Sequence, residues 1–145
     1  MRDEKESKIL GQIAAITSEA ELLKLAETLW AEHRWLLMAV CYQRAAELGS
    51  VEARYLLGEC YETGMGVVQS DEEAVKWYKE AASRHHGRAM CVLADYYYYG
   101  NVVEQNDTLA QMLLLHAGEE QAAEKWEEWF GTSMTLDTDE KERRT

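Results

Sequence analysis

Residues 53–88 recur in residues 89–124 at a shift of 36. Under that shift Ala53 falls on Ala89, Leu57 on Leu93, Tyr61 on Tyr97 and Gly64 on Gly100. Further along, Asp71 falls on Asp107, Ala74 on Ala110 and Ala81 on Ala117, while Gly58 meets Ala94, another small residue. A partial third copy lies upstream, where Tyr42, Ala45 and Ala46 precede Tyr78, Ala81 and Ala82 by the same interval. Before that the register fails, which predicts a first helix pair that is divergent or has a shorter loop. A repeat period of about 20–50 residues marks a stacked array, in which each unit has an apolar face that only its neighbours can cover.

Each copy reads as two helices. Residues 52–63 carry apolar side chains at 53, 56, 57, 60 and 61, a helical stripe. The segment Gly64-Met65-Gly66 then breaks the pattern, with glycines free to take positive φ. Ser70 and Asp71 offer an N-cap, and Glu72 and Glu73 suit the positive end of the helix that follows. Ser18 followed by Glu21 is a capping box for an earlier helix. Extended along the chain, this reading predicts about eight helices, at roughly 3–16, 19–33, 35–48, 51–63, 71–85, 88–99, 107–117 and 119–130. Residues 131–145 are polar and charged and are expected to form a flexible tail. The chain contains no proline, which agrees with helices and argues against a β-sandwich or barrel.

Small residues at 53, 58, 81 and 82 let two helices approach closely, and Leu57, Tyr61, Trp77 and Tyr78 fill the space between them. The repeat at 53–82 therefore has the form Ala53-x3-Leu57-Gly58-x2-Tyr61-x2-Gly64-x-Gly66-Val67-x3-Asp71-x2-Ala74-x2-Trp77-Tyr78-x2-Ala81-Ala82. This resembles the Sel-1-like repeat, a relative of the tetratricopeptide repeat. The likeness is full over 53–88. Over 89–117 Trp77 and Tyr78 give way to Leu113 and Leu114, and the second loop lacks the Gly-x-Gly-Val signature. Over about 35–52 only the second half of a repeat is present. The resemblance implies an all-α fold, a short right-handed α/α superhelix of stacked antiparallel helix pairs. One domain is expected over 1–130, with divergent helices in 1–34, repeats over about 35–117 and a capping helix at 119–130. The function it implies is that of an adaptor or scaffold, without catalysis.

In solenoids of this kind the first helix of each pair lines the concave face. On the helix at 51–63, Glu52, Tyr55, Glu59 and Glu62 turn away from the Ala53, Leu57 and Tyr61 stripe. Arg88, Cys91, Asp95, Tyr98 and Tyr99 are their counterparts in the next copy. The resemblance puts all nine on the ligand-facing side, as an acidic, aromatic groove for a protein or peptide of basic character. In the run Tyr96 to Tyr99, Tyr97 belongs to the core by register and Tyr98 and Tyr99 are left for the groove; packing of all four is the competing reading. Trp126, Trp129 and Phe130 lie at i, i+3 and i+4 on the last helix, either as a cap or as an apolar patch for a partner or for self-association. Trp30 and Trp35 are expected in the core.

Composition excludes other classes. Fifteen Lys+Arg against 27 Asp+Glu give a formal net charge of −12, which is unsuited to nucleic acid or to anionic membranes. Cys41, Cys60 and Cys91 are odd in number and form no CxxC pair, so reduced, buried thiols are expected. The first eight residues lead into no apolar signal-like region, and a cytoplasmic protein is expected. His33, His85, His86 and His116 lack metal-ligand spacing. Gly64-Met65-Gly66 follows no strand and lacks a third glycine, so it is no nucleotide loop. No metal, cofactor or catalytic residue is expected. An alternative to the adaptor is an inhibitor, such as an immunity protein that blocks a toxin or effector one-to-one.

Overall fold

Side-chain caps open five of the helices. In the computed structural model, which describes residues 4–132 and 134, eight helices are present among the described residues: α1 (Glu4–Ala15), α2 (Glu19–Ala31), α3 (Trp35–Glu47), α4 (Val51–Thr63), α5 (Asp71–Ser83), α6 (Gly87–Tyr99), α7 (Asp107–Ala117) and α8 (Glu120–Phe130). Ser18, Ser50, Ser70 and Asn106 each accept a hydrogen bond from the backbone N–H three residues on, at 3.4, 3.1, 3.2 and 3.0 Å. His86 does the same at the start of α6, where its Nδ1 accepts from the Ala89 N–H at 3.1 Å. That cap starts α6 at Gly87, one residue before the expected position. At the other ends, α2 and α5 stop about two residues early because His33 and His85 take left-handed φ of 59° and 62°.

The helices gather into two compact units, one ending at Arg84 and the other beginning at His85. In the first, α2 packs on α3 and α4 on α5, with α3 also against α4 and α1 against α3. The α2–α3 connection spans only residues 32–34, whereas α4 and α5 are joined by residues 64–70, so the first pair is the shorter one. Leu22, Ala26, Leu29, Leu37, Cys41 and Leu57 form the centre of its core. Gly58 lets α5 close on α4: a Cβ at that position would stand 2.5 Å from the Tyr78 ring, which is itself buried. In the second unit α6 packs on α7 and α7 on α8, around Leu93, Ala94, Ala110, Leu114 and Ala122.

The two seven-residue loops repeat one set of hydrogen bonds. Ser70 N–H donates to the Tyr61 carbonyl and Asn106 N–H to that of Tyr97, both at 2.9 Å. Gly64 and Gly100 cap α4 and α6 in the left-handed conformation, donating to the carbonyls of Cys60 and Tyr96. Gln69 bonds Asp71, and Gln105 bonds Asp107. Tyr61 and Tyr97, both half-buried, thus supply the carbonyl that fastens the end of each loop to the helix before it. The expected tail lies outside the described residues except for Gly131, Thr132 and Met134.

Candidate functional site

A groove of about 650 Å³ runs between α2 and α4, with α3 as its floor. From α2 come Leu23, Glu27 and Trp30, spaced i, i+4 and i+7 on one face. From α3 come Met38 and Tyr42, one turn apart. On α4 the lining runs from Glu52 through Leu56, Glu59 and Cys60 to Glu62 and Thr63, and Met65 closes the end. Four carboxylates thus face an apolar floor, and no lysine or arginine lines the groove. Trp30 is 57% exposed at its edge.

Two of the lining groups, Tyr42 and Cys60, are shifted first by burial and then by this acidic setting. Burial pushes the Tyr42 hydroxyl up to about 12, with the charges of Cys60, Glu59, Cys41 and Glu27 adding to the effect. Burial, then the Glu59 carboxylate, pushes the Cys60 thiol up to about 11. Cys41 rises to about 12 through burial alone. All three cysteines are free and buried, and a protonated, buried thiol is a poor nucleophile. No cluster of His, Cys, Asp or Glu among the described residues could hold a metal ion.

The expected site residues divide sharply. Glu52, Glu59 and Glu62 line the groove. Tyr55, expected beside them, is instead 5% exposed with its ring centroid 5.8 Å from that of Tyr78. The reason is that α4 is packed against both α3 and α5, so its buried arc is wider than one stripe. In the second unit the expected face of α6 is largely covered by α8. Cys91 is buried; its thiol is pushed up to about 11 by burial, against the opposing charge of Lys125. Asp95 is ion-paired with Lys125 of α8, and the same ammonium lies 3.4 Å from the Cys91 carbonyl. Tyr98 stacks on Trp129 with centroids 4.2 Å apart and planes within 4°. Arg88 and Tyr99 stay exposed, Tyr99 at 66%.

The aromatic face of α8 is therefore turned onto its own unit. Trp126 is buried, Trp129 and Phe130 are half-buried, and Phe130 lies edge-on to Tyr98 at 5.7 Å. An open patch for self-association through these three residues is not what the structure presents. Trp30 was expected in the core and is at the surface, while Trp35 is half-buried against the core. Sequence reasoning missed the α2 wall, Leu23, Glu27 and Trp30, because the repeat register is lost there. Its only signal was the i, i+4, i+7 spacing.

Stacked helix pairs fastened by repeated loops, with a groove along first helices, define an α/α repeat protein of the interaction-scaffold class. The Sel1 repeat model matches residues 40–50, 51–86 and 87–124, more than half of the chain, and the chain belongs to the Sel1 repeat family. It is similar to chitin synthase regulatory factor 2 of Schizosaccharomyces pombe, 36% identical over 77 residues that make up 53% of this chain and 15% of that protein. It is similar also to the chitin synthase regulator SKT5 of Saccharomyces cerevisiae, 38% identical over 63 residues, 43% of this chain and 9% of that one. The chain thus spans less than a sixth of the length of these curated relatives. Among solved structures, a Sel1 repeat protein from Oxalobacter formigenes covers 88% of this chain and is itself fully covered, with a TM-score of 0.72 at 22% identity. The c5321 protective antigen of uropathogenic Escherichia coli, described as an SLR fold, matches 86% of this chain and 29% of its own length, with a TM-score of 0.73 at 26% identity. Sel1 repeats mediate protein–protein interaction, and the curated relatives are regulators rather than enzymes by name. No helix among the described residues is long and apolar enough to cross a membrane.

Proposed function

We propose that this chain is a non-catalytic adaptor that holds a basic, partly apolar segment of a partner protein in the groove between α2 and α4. The observation that carries this reading is the lining itself: Glu27 and Glu59, with Glu52 and Glu62 further along the α4 wall, beside an apolar floor, and the exposed Trp30 at the edge. Carboxylates around a partly desolvated groove steer a cationic partner and set its register, while an exposed tryptophan and apolar floor supply contact area. The net charge of −12 extends the same field beyond the groove. The names of the curated relatives favour a regulatory role.

The test is a paired capture from lysate with the full chain and its Glu27→Lys/Glu59→Lys variant as baits, read by mass spectrometry. Both glutamates are exposed, so the fold should survive the change. The groove reading requires a partner kept by the wild type and lost by the variant, with association slowing as salt rises from low to physiological strength. A partner kept equally by both baits would move the site elsewhere. A single partner whose activity is blocked one-to-one would make the protein an inhibitor rather than an adaptor.

A further inference from the structure

We infer that the segment the groove accepts is an amphipathic α-helix carrying basic residues beside its apolar stripe; this rests on the groove being the binding site. The argument is one of hydrogen-bond supply. The α2 wall from Leu23 to Trp30 covers roughly 10 Å at 1.5 Å per residue, and the α4 wall from Glu52 to Thr63 roughly 16 Å. An extended peptide rises about 3.3 Å per residue, so it would lay three to five residues along these walls. Each of those residues brings a backbone carbonyl that needs a donor once water is excluded.

The groove has few donors to give. No asparagine, glutamine, lysine, arginine or histidine lines it. The Thr63 hydroxyl already donates to the Glu59 carbonyl at 2.8 Å. The walls are helices whose backbone groups are paired within themselves, so they present no strand edge for an extended peptide to join. The Trp30 indole N–H and the buried Tyr42 hydroxyl are left as the strong donors, while carboxylates, which only accept, dominate the rim. A helix satisfies its own carbonyls. It then asks the groove only for apolar contact and for acceptors that meet lysine and arginine side chains. The apolar lining of Leu23, Met38, Leu56 and Met65 together with Glu27 and Glu59 offers both.

Random 16-residue peptides displayed on phage, selected on the full chain and counter-selected on the Glu27→Lys/Glu59→Lys variant, test this directly. Glu27→Gln/Glu59→Gln serves in its place if the lysine variant melts below the wild type. The expected selectants carry lysine or arginine with apolar residues at i, i+3, i+4 and i+7. A proline placed at the centre of the tightest peptide should weaken it at least tenfold, and a side-chain lactam bridging i and i+4 should tighten it. Groove-dependent peptides that keep their affinity within twofold when the proline is introduced would overturn the helical occupant while leaving the groove in place. Selection that yields nothing dependent on Glu27 and Glu59 would overturn the groove itself and this inference with it.

Discussion

Where the loop after α4 sets Gly66 at φ 79°, the loop after α6 sets Val102 at φ 66°. The same turn is made by the residue best suited to it and by a β-branched residue that pays a steric penalty for it. The other differences between the two repeats follow a similar logic. Gly58 faces the ring of Tyr78; thirty-six residues on, Ala94 and Leu114 occupy those positions, a larger small residue beside a smaller large one. Ser50 caps α4 with its hydroxyl, and His86 caps α6 with a ring nitrogen. The outer face of α5 carries the Glu73–Lys76 ion pair at 3.1 Å, whereas α7 shows Leu109 and Met112 at the matching positions. The repeat thus keeps backbone path and filled volume, not residue identity.

The largest effect expected spans both units, through their thiols. In the folded chain Cys41 titrates at about 12 and Cys60 and Cys91 at about 11, against an ordinary value of 9.0. Above pH 9 the unfolded chain loses protons that the folded chain keeps. The stability these thiols contribute is therefore whole below pH 9 and falls as pH rises through 11, by roughly 2 kcal/mol for each. Urea unfolding at pH 8, 9, 10 and 11 measures it, and Cys41→Ala should flatten the slope more than Cys91→Ala, where Lys125 opposes the shift. A stability unchanged between pH 9 and 11 would contradict the burial of these groups.

Gly58→Leu comes next, with a loss of about 3 kcal/mol, since the added side chain must displace the Tyr78 ring. The informative version copies the second repeat into the first: Gly58→Ala/Tyr78→Leu should be more stable than the sum of its single changes by about 1 kcal/mol. Strict additivity in thermal melts would break the claim that the two positions share one volume.

Exchanging the loop residues should give opposite signs. Gly66→Ala should cost about 2 kcal/mol, because its Cβ would stand 2.2 Å from the Trp35 carbonyl oxygen in addition to the left-handed backbone. Val102→Gly should stabilise by up to about 1 kcal/mol, since it relieves strain at a residue that is 43% exposed. If both changes lower the melting temperature, Val102 makes a contact worth more than its strain.

The smallest effect is at the cap. His86→Ala should cost about 1 kcal/mol and His86→Ser, which restores the residue of the first repeat, much less. Equal losses in the two variants would mean that the histidine acts through its other contacts rather than as a cap.

Helix positions were legible because their signals are local. The caps at Ser18 and Ser70, the stop at Gly64 and the apolar stripes each act within a turn of the residue that carries them. Glu52, Glu59 and Glu62 were found on the open side of α4 for the same reason: charge and helical phase suffice when that side faces water. Tyr55 was misplaced because phase alone does not say how many neighbours a helix has. Cys91, Asp95 and Tyr98 were misplaced because nothing in α6 announces that α8 will lie across it. The groove's second wall was invisible because α2 shares the fold of a repeat without its letters.

Local signals therefore set the run of helices, their ends to within about two residues, their pairing into repeats and the acidity of one face, all of which depend on interactions a few residues apart or on periodic identity. Which faces stay open was settled by packing between helices. That choice rests on side chains far apart in the chain, such as Lys125 reaching Asp95 and Trp129 stacking on Tyr98, and on the joint approach of α2, α3 and α4 that makes the groove. Burial is a property of the packed assembly of helices, and no single helix encodes which of its neighbours will arrive.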